Sequence, residues 1–183
     1  MGLLLPSDDI RAIVFDVEAN GLLDEVDEVW CMAGVDTKSG LESFLDRQDL
    51  NRETIIEFFK PYNIIIGHNI IGYDIPLIKK MYNLNLYDMF EPKCIHDTYI
   101  FSRCLFPDRP LPVGCPSTIR NSITKKMKKI GPHSLEAHGY SVGVRKIEIN
   151  DWTVYDENIV QRCLTDVKIN LLVYNKLLKE ASL

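Results

Sequence analysis

Nowhere in the 183 residues does an apolar run approach the roughly 18 residues that a membrane-spanning helix needs, so no membrane association is expected. The first residues, Met1-Gly2-Leu3-Leu4-Leu5-Pro6, are too short for a signal peptide. Cysteine is sparse. The five present (Cys31, Cys94, Cys104, Cys115 and Cys163) are an odd number at wide spacing with no CxxC, which argues against both a disulfide framework and a zinc site. The expectation is reduced thiols in a cytoplasmic protein. Internal repeats and low-complexity tracts are missing, which excludes solenoid and collagen-like architectures. Positive charge is also short, with 21 Lys and Arg against 26 Asp and Glu for a net charge of −5. Taken as a sum, that argues against an ordinary nucleic-acid binder. The positions of the acids matter more.

What is present fits a globular protein: 46% hydrophobic and 26% charged residues. The length suffices for a core without disulfide staples, and one domain over 1–183 is expected. The run Ala12-Ile13-Val14-Phe15-Asp16-Val17 is apolar and β-branched and reads as a strand. Val29–Val35 and Leu41–Leu45 follow after short links, as in an antiparallel meander. The pattern then alternates. Asn51 can cap a helix that Pro61 ends, and Asn63–Gly67 reads as a central strand buried on both faces. Asp74 can cap a second helix, Cys94-Ile95 is a short strand, and Asp97 caps a helix through Arg103. Pro107–Pro116 reads as loop, and Ser134–His138 as a short helix stopped by Gly139. Asp156 caps a long last helix with Val160, Leu164, Val167, Leu171, Tyr174 and Leu178 on one face. The fold class is α/β: a mixed five-stranded sheet, three antiparallel strands then alternating α/β, flanked by helices.

Four acidic residues at three places in the chain stand out. Asp16 and Glu18 are two apart at the end of the first strand, so both carboxylates face one side. Asp74 starts a helix after Gly67-His68-Asn69, and Asp166 lies at the edge of the apolar stripe of the last helix. Clustered carboxylates need a counter-charge, and hard divalent cations supply one through oxygen ligands. Two such ions about 4 Å apart clamp the attacking and leaving oxygens of a phosphodiester. Taken singly, each acid is ordinary: a surface acid, an N-cap, or a helix acid pairing with Arg162 one turn earlier. Their conjunction, in this order on these elements, is what points to chemistry.

Phe15-Asp16-Val17-Glu18-Ala19-Asn20-Gly21 is similar to the first motif of the DEDD exonucleases, the DnaQ-like 3′–5′ exonuclease superfamily of ribonuclease H fold. Gly67-His68-Asn69-Ile70-Ile71-Gly72-Tyr73-Asp74-Ile75-Pro76 resembles the second motif, and the segment around Asp166 the third. Cys94-Ile95-His96-Asp97-Thr98, Ser102-Arg103 and His133–Tyr140 bring the chain close to the proofreading exonuclease domain of phage family-A DNA polymerases. The resemblance runs from about Ile10 to Leu178. It implies two Mg²⁺ or Mn²⁺ ions. Asp16 would bridge both, Glu18 and Asp166 would complete the site of the nucleophile-activating ion, and Asp74 would hold the second through water. It also implies that Leu22 wedges against the terminal base and that Asn69 and Tyr73 position the 3′-terminal nucleotide.

The chain departs from the family at one point. The family places a Tyr four residues, or a His five residues, before the last Asp; here Arg162 and Gln161 stand there. Neither is a general base at neutral pH. Metal-bound water can be acidic enough without one, and Arg162 can stabilise charge on the scissile phosphate. Arg120–Lys129 carries five bases and no acid, so Arg120, Lys125 and Lys126 are the candidate phosphate-backbone contacts. His68, His133 and His138 read as hydrogen-bonding residues and not as ligands.

The expected function is a metal-dependent 3′–5′ exonuclease on single-stranded DNA 3′ ends that releases nucleoside 5′-monophosphates. It would proofread for a separate polymerase chain or as part of a longer one, in the cytoplasm, or the host cytoplasm if phage-encoded. The alternatives are an exoribonuclease of the same fold, a catalytically weak nucleic-acid-binding module, and an α/β protein whose acids are structural.

Overall fold

The computed structural model describes residues 10–120, 127–149 and 151–182. Its centre is a five-stranded sheet built from β1 (Ala12–Ala19), β2 (Val29–Asp36), β3 (Glu42–Asp46), β4 (Ile64–Gly67) and β5 (Ile95–Asp97). The order across the sheet is β3-β2-β1-β4-β5. The first three strands form the antiparallel meander, and β4 and β5 add in parallel beside β1. Parallel neighbours need crossover connections. Two helices supply them: α1 (Arg52–Phe59) between β3 and β4, and α2 (Asp74–Tyr82) between β4 and β5. The chain continues through α3 (Thr98–Leu105), a small hairpin of β6 (Thr118–Arg120) and β7 (Met127–Lys129), α4 (Leu135–Val142) and the 25-residue α5 (Glu157–Ala181).

The pleat of β1 divides the core in two. Ile13, Phe15 and Val17 pack on one side with Ile55, Phe59, Leu77 and Ile78. Val14 packs on the other with Cys31, Ile66, Cys163 and Val167. Ile65 and Ile66 of β4 fall in opposite layers, so the apolar run of that strand is buried on both faces. α5 therefore lies on the face to which the even-numbered residues of β1 belong. Asn51, Asp97 and Asp156 each accept backbone N–H bonds as helix caps.

Two local expectations change. Asp74 is the first residue of α2 and not its cap; Tyr73 holds the cap position without a side-chain bond. Gly139 does not stop α4, which runs on to Val142 and ends at Gly143 with φ 77°. Gly139 is instead a point of close approach, where a Cβ would sit 2.6 Å from the Val144 carbonyl oxygen. The two ends of the basic stretch pair as β6 and β7, an element the sequence pattern does not announce. Among the described residues no helix is long and apolar enough to cross a membrane.

Candidate active site

Asp16 and Glu18 extend from β1 on the side that carries Val14. The β1–β2 ladder slips at Glu18/Ala19, so regular pairing ends where the two carboxylates stand. α5 crosses this end of the strand and brings Asp166 beside Cys163 and Val167. One carboxylate oxygen from each of Asp16, Glu18 and Asp166 lies within 4.8 Å of the others. The period of the strand and the pitch of the helix thus gather three acids that are up to 150 residues apart in the chain.

Cations of the protein itself meet this cluster. Lys146 Nζ lies 2.5 Å from Asp166 Oδ2, with Arg162 Nη2 3.8 Å from the same oxygen. Arg162 Nε donates to Glu18 Oε1 at 3.2 Å, and its Nη1 donates to the Ile147 carbonyl. Asp166 is buried, and its Oδ1 has no hydrogen-bond partner. Burial, then the nearby Asp166, pushes the Glu18 carboxyl up to about 7. The Asp16 carboxyl is raised by burial first, then by Glu18, Asp74 and Asp166. Four acids against two cations leave the site short of positive charge. Oxygen-only donors, an orphaned buried oxygen and carboxyls held up by burial and then by mutual repulsion fit a hard divalent cation.

Asp74 stands slightly apart and outside the 4.8 Å cluster. Its Oδ1 accepts the Val17 amide at 3.0 Å, which ties the second motif to β1. Burial is the main reason its carboxyl rises to about 7, with Glu18 adding to it and the Val17 bond opposing it. The loop between β4 and α2 is shaped by Asp97. Its Oδ1 accepts from the Asn69 amide at 2.9 Å and its Oδ2 from Ile71 at 3.1 Å, while it also caps α3. Gly67 enters that loop where a Cβ would collide with Ile70 and sit 3.1 Å from the Phe15 carbonyl oxygen. Asn69 follows at φ 63°, a left-handed conformation that Asn tolerates.

A groove of about 850 Å³ adjoins the cluster. Asn69, Tyr99, Lys128, Lys129, Lys146 and Arg162 line it. Tyr73 is half-buried, and its hydroxyl donates to the Gly21 carbonyl at 2.6 Å. That bond braces the turn on which Leu22 stands 72% exposed. Arg120 ends β6, while Lys125 and Lys126 lie outside the described residues. The Lys128 and Lys129 end of the basic stretch is the part seen to reach the groove.

The histidines hydrogen-bond as expected. His68 Nδ1 is 3.0 Å from Thr98 Oγ1, and Ser102 Oγ lies between His133 Nδ1 at 2.9 Å and His138 Nε2 at 3.2 Å. Burial holds the His138 imidazole down at about 4, and therefore neutral. Two neighbours of the cluster escape sequence reasoning. Cys163 Sγ lies 3.7 Å from Asp16 Oδ2, in a position that reads from sequence only as buried apolar. Lys146 sits in an irregular segment with no periodicity to place it, and no local signal identifies it.

The comparisons with known proteins agree with this architecture. The family model of the RNase H superfamily matches residues 13–103. The DNA-directed DNA polymerase of Enterobacteria phage T3 is 26% identical over 192 residues, covering 92% of this chain and 27% of that protein. The chain thus spans about a quarter of the length of the curated relatives it matches. Among solved structures, the family B DNA polymerase of Pyrobaculum calidifontis superposes with a TM-score of 0.59 at 17% identity, covering 92% of this chain and 24% of that one. E. coli exonuclease I in complex with a dT13 oligonucleotide gives 0.55 at 14% identity, over 90% of this chain and 40% of that one. These likenesses are of fold.

Proposed function

We propose that this member of the RNase H superfamily is a divalent-metal-dependent 3′–5′ exonuclease that removes nucleoside 5′-monophosphates from single-stranded DNA ends. The observation that carries the reading is the convergence of Asp16, Glu18 and Asp166 within 4.8 Å beside a groove lined by Lys128, Lys129, Lys146 and Arg162. An acidic centre beside a cationic wall suits a substrate that is itself a polyanion and meets metal at one phosphate. The phage DNA polymerase relatives support the same substrate class.

Asp16, Glu18 and Asp166 would hold the first Mg²⁺ or Mn²⁺, with Asp16 shared and Asp74 completing the site of a second. When bound, such ions polarise the phosphodiester and make water nucleophilic near neutral pH. The chain supplies position and charge. Arg162 is a permanent cation held up further by Asp166 and Glu18, so it takes no proton from water and serves instead to stabilise charge on the scissile phosphate. Asn69 lines the groove and offers an amide to the terminal nucleotide. Tyr73 keeps the Gly21–Leu22 turn in place, and Leu22 meets the terminal base. The bases from Arg120 to Lys129, with Lys125 and Lys126 among them, follow the phosphate backbone. The 183 residues would act as one exonuclease domain serving a DNA polymerase, in the same chain or a separate one, in the cytoplasm.

Digestion of a 5′-labelled single-stranded oligonucleotide with Mg²⁺ or Mn²⁺ tests the reading. A ladder shrinking from the 3′ end, abolished by a chelator and by Asp16→Ala, is expected. An untouched substrate with both metals would overturn it. The binding of Arg162 to both Glu18 and Asp166 favours one other outcome, a catalytically weak module that holds 3′ ends. Such a module would retain oligonucleotide binding and show no metal-dependent trimming. A matched RNA oligonucleotide, in parallel, separates deoxyribonuclease from ribonuclease activity.

A further inference from the structure

The carboxylate cluster is already neutralised in part by residues that also face the groove. Lys146 Nζ is 2.5 Å from Asp166 Oδ2, and Arg162 Nε is 3.2 Å from Glu18 Oε1. Their side chains are 16% and 18% exposed, and both line the 850 Å³ groove. Each cation therefore has a carboxylate behind it and open groove in front. Lys146 belongs to the segment that follows α4, which Arg162 steadies by donating Nη1 to the Ile147 carbonyl.

We infer that Lys146 and Arg162 are displaceable counter-cations: they neutralise Asp166 and Glu18 in the metal-free chain, and a divalent ion on those carboxylates turns them into the groove to bind the phosphate of the incoming strand. The inference rests on the metal-dependent reading given above and deepens it. Asp166 offers one oxygen that is buried and unpartnered and another that Lys146 occupies. A doubly charged ion on this carboxylate repels an ammonium held at hydrogen-bond distance from it, in surroundings where screening is weak. The lysine stem is flexible and its head is a point charge, so it turns away at little cost. Arg162 keeps its hold on Ile147 while Nε and Nη2, now directed at Glu18 and Asp166, are freed toward the groove that the residue lines. Once the acids are satisfied by metal, both cations lack an anion, and a phosphodiester supplies it. Metal and nucleic acid then strengthen each other's binding reciprocally.

Lys146→Met keeps most of the stem and removes the charge. Titration of Mn²⁺ into the chain followed by calorimetry should show binding at least about threefold tighter in this variant than in the wild type, because no ammonium has to be expelled. Affinity for a fluorescent oligothymidylate closed by a 3′ phosphorothioate, measured with Mn²⁺ present, should fall by roughly three- to tenfold. A Lys146→Gln variant should behave alike. The wild-type chain gives an independent reading without mutation. Acetylation of Lys146 by a succinimidyl ester, followed by mass spectrometry, should rise on adding Mn²⁺ and fall again on adding the oligonucleotide. Unchanged or weaker Mn²⁺ binding in both variants overturns the inference. So does Lys146 equally shielded with and without the ion in a chain that still trims DNA, an outcome that leaves the exonuclease reading standing. A wild-type chain that binds no Mn²⁺ at all removes both.

Discussion

Replacing Glu18 by Gln should make the metal-free protein more stable while disabling it. Glu18 sits with 14% of its side chain exposed, and burial together with Asp166 lifts its carboxyl from 4.5 to about 7. A shift of that size corresponds to roughly 3 kcal/mol when the group is fully ionised, at about 1.4 kcal/mol per unit. The sign follows from the raised value: the carboxyl costs nothing below pH 4.5, and the penalty grows as pH rises through 7. Arg162 loses its Glu18 bond in the variant but keeps Asp166 and the Ile147 carbonyl, which reduces the net gain to about 1–2 kcal/mol. For a chain of this size that is roughly 2–8 °C in Tm. Scanning calorimetry without metal should therefore show Glu18→Gln melting above wild type at pH 8 and level with it near pH 5. The metal response should invert. Saturating Mn²⁺, at about 100 times its Kd, stabilises the wild type by about 3 kcal/mol, whereas the variant gains a small fraction of that and cleaves nothing. A variant that melts below wild type at pH 8, or that keeps the full Mn²⁺ shift, would refute the account of Glu18 as an acid held in place for a cation.

Other perturbations separate further parts of the argument. Arg162→Tyr restores the aromatic hydroxyl usual in the family; unchanged cleavage would show that the missing hydroxyl was not limiting, and the expected result is a changed rate with retained Mn²⁺ binding. Asp97→Ala removes the acceptor of the Asn69, Ile71 and Tyr99 amides and should lower stability by about 3 kcal/mol in urea melts; a loss under about 1 kcal/mol would mean that the loop does not depend on it. Gly67→Ala forces Ile70 to move and should cost roughly 1–3 kcal/mol, read as a lower urea midpoint. His138 is held neutral down to about pH 4 by burial, so the unfolded chain binds the extra proton below pH 6.5 and the contribution of His138 to stability falls by up to about 1.4 kcal/mol per pH unit from there down to pH 4; His138→Gln should gain stability relative to wild type in urea melts as pH is lowered from 6.5 to 5.

The chain's arithmetic misleads until the acids are placed. A net charge of −5 argues against nucleic acid, yet four of those acids form or adjoin the candidate metal site, and Lys128, Lys129, Lys146 and Arg162 line the adjoining groove. Most of the sheet was legible, because β1 and β4 are apolar, β-branched runs between strong breaks, and period two puts Asp16 and Glu18 on one side. The long helix was legible for the same reason at period 3.6. The errors fell where local rules compete. Asp74 has the composition of a cap, but the Val17 amide of a remote strand takes its carboxylate. Gly139 has the composition of a helix stop, but the Val144 carbonyl packs against it.

Periodicity, caps and motif order are properties of neighbours in the chain, and they suffice for the order of the five-stranded sheet's elements, the sheet class and the choice of the four candidate acids. Distances between those acids are not local. That Asp16, Glu18 and Asp166 come within 4.8 Å while Asp74 stands back on the Val17 amide depends on how α5 crosses β1. The pairing of Lys146 with Asp166 depends on the same crossing and on the path of an irregular segment. Side chains without periodicity are placed only by what they pack against, and for Lys146 that partner lies 20 residues away on another element.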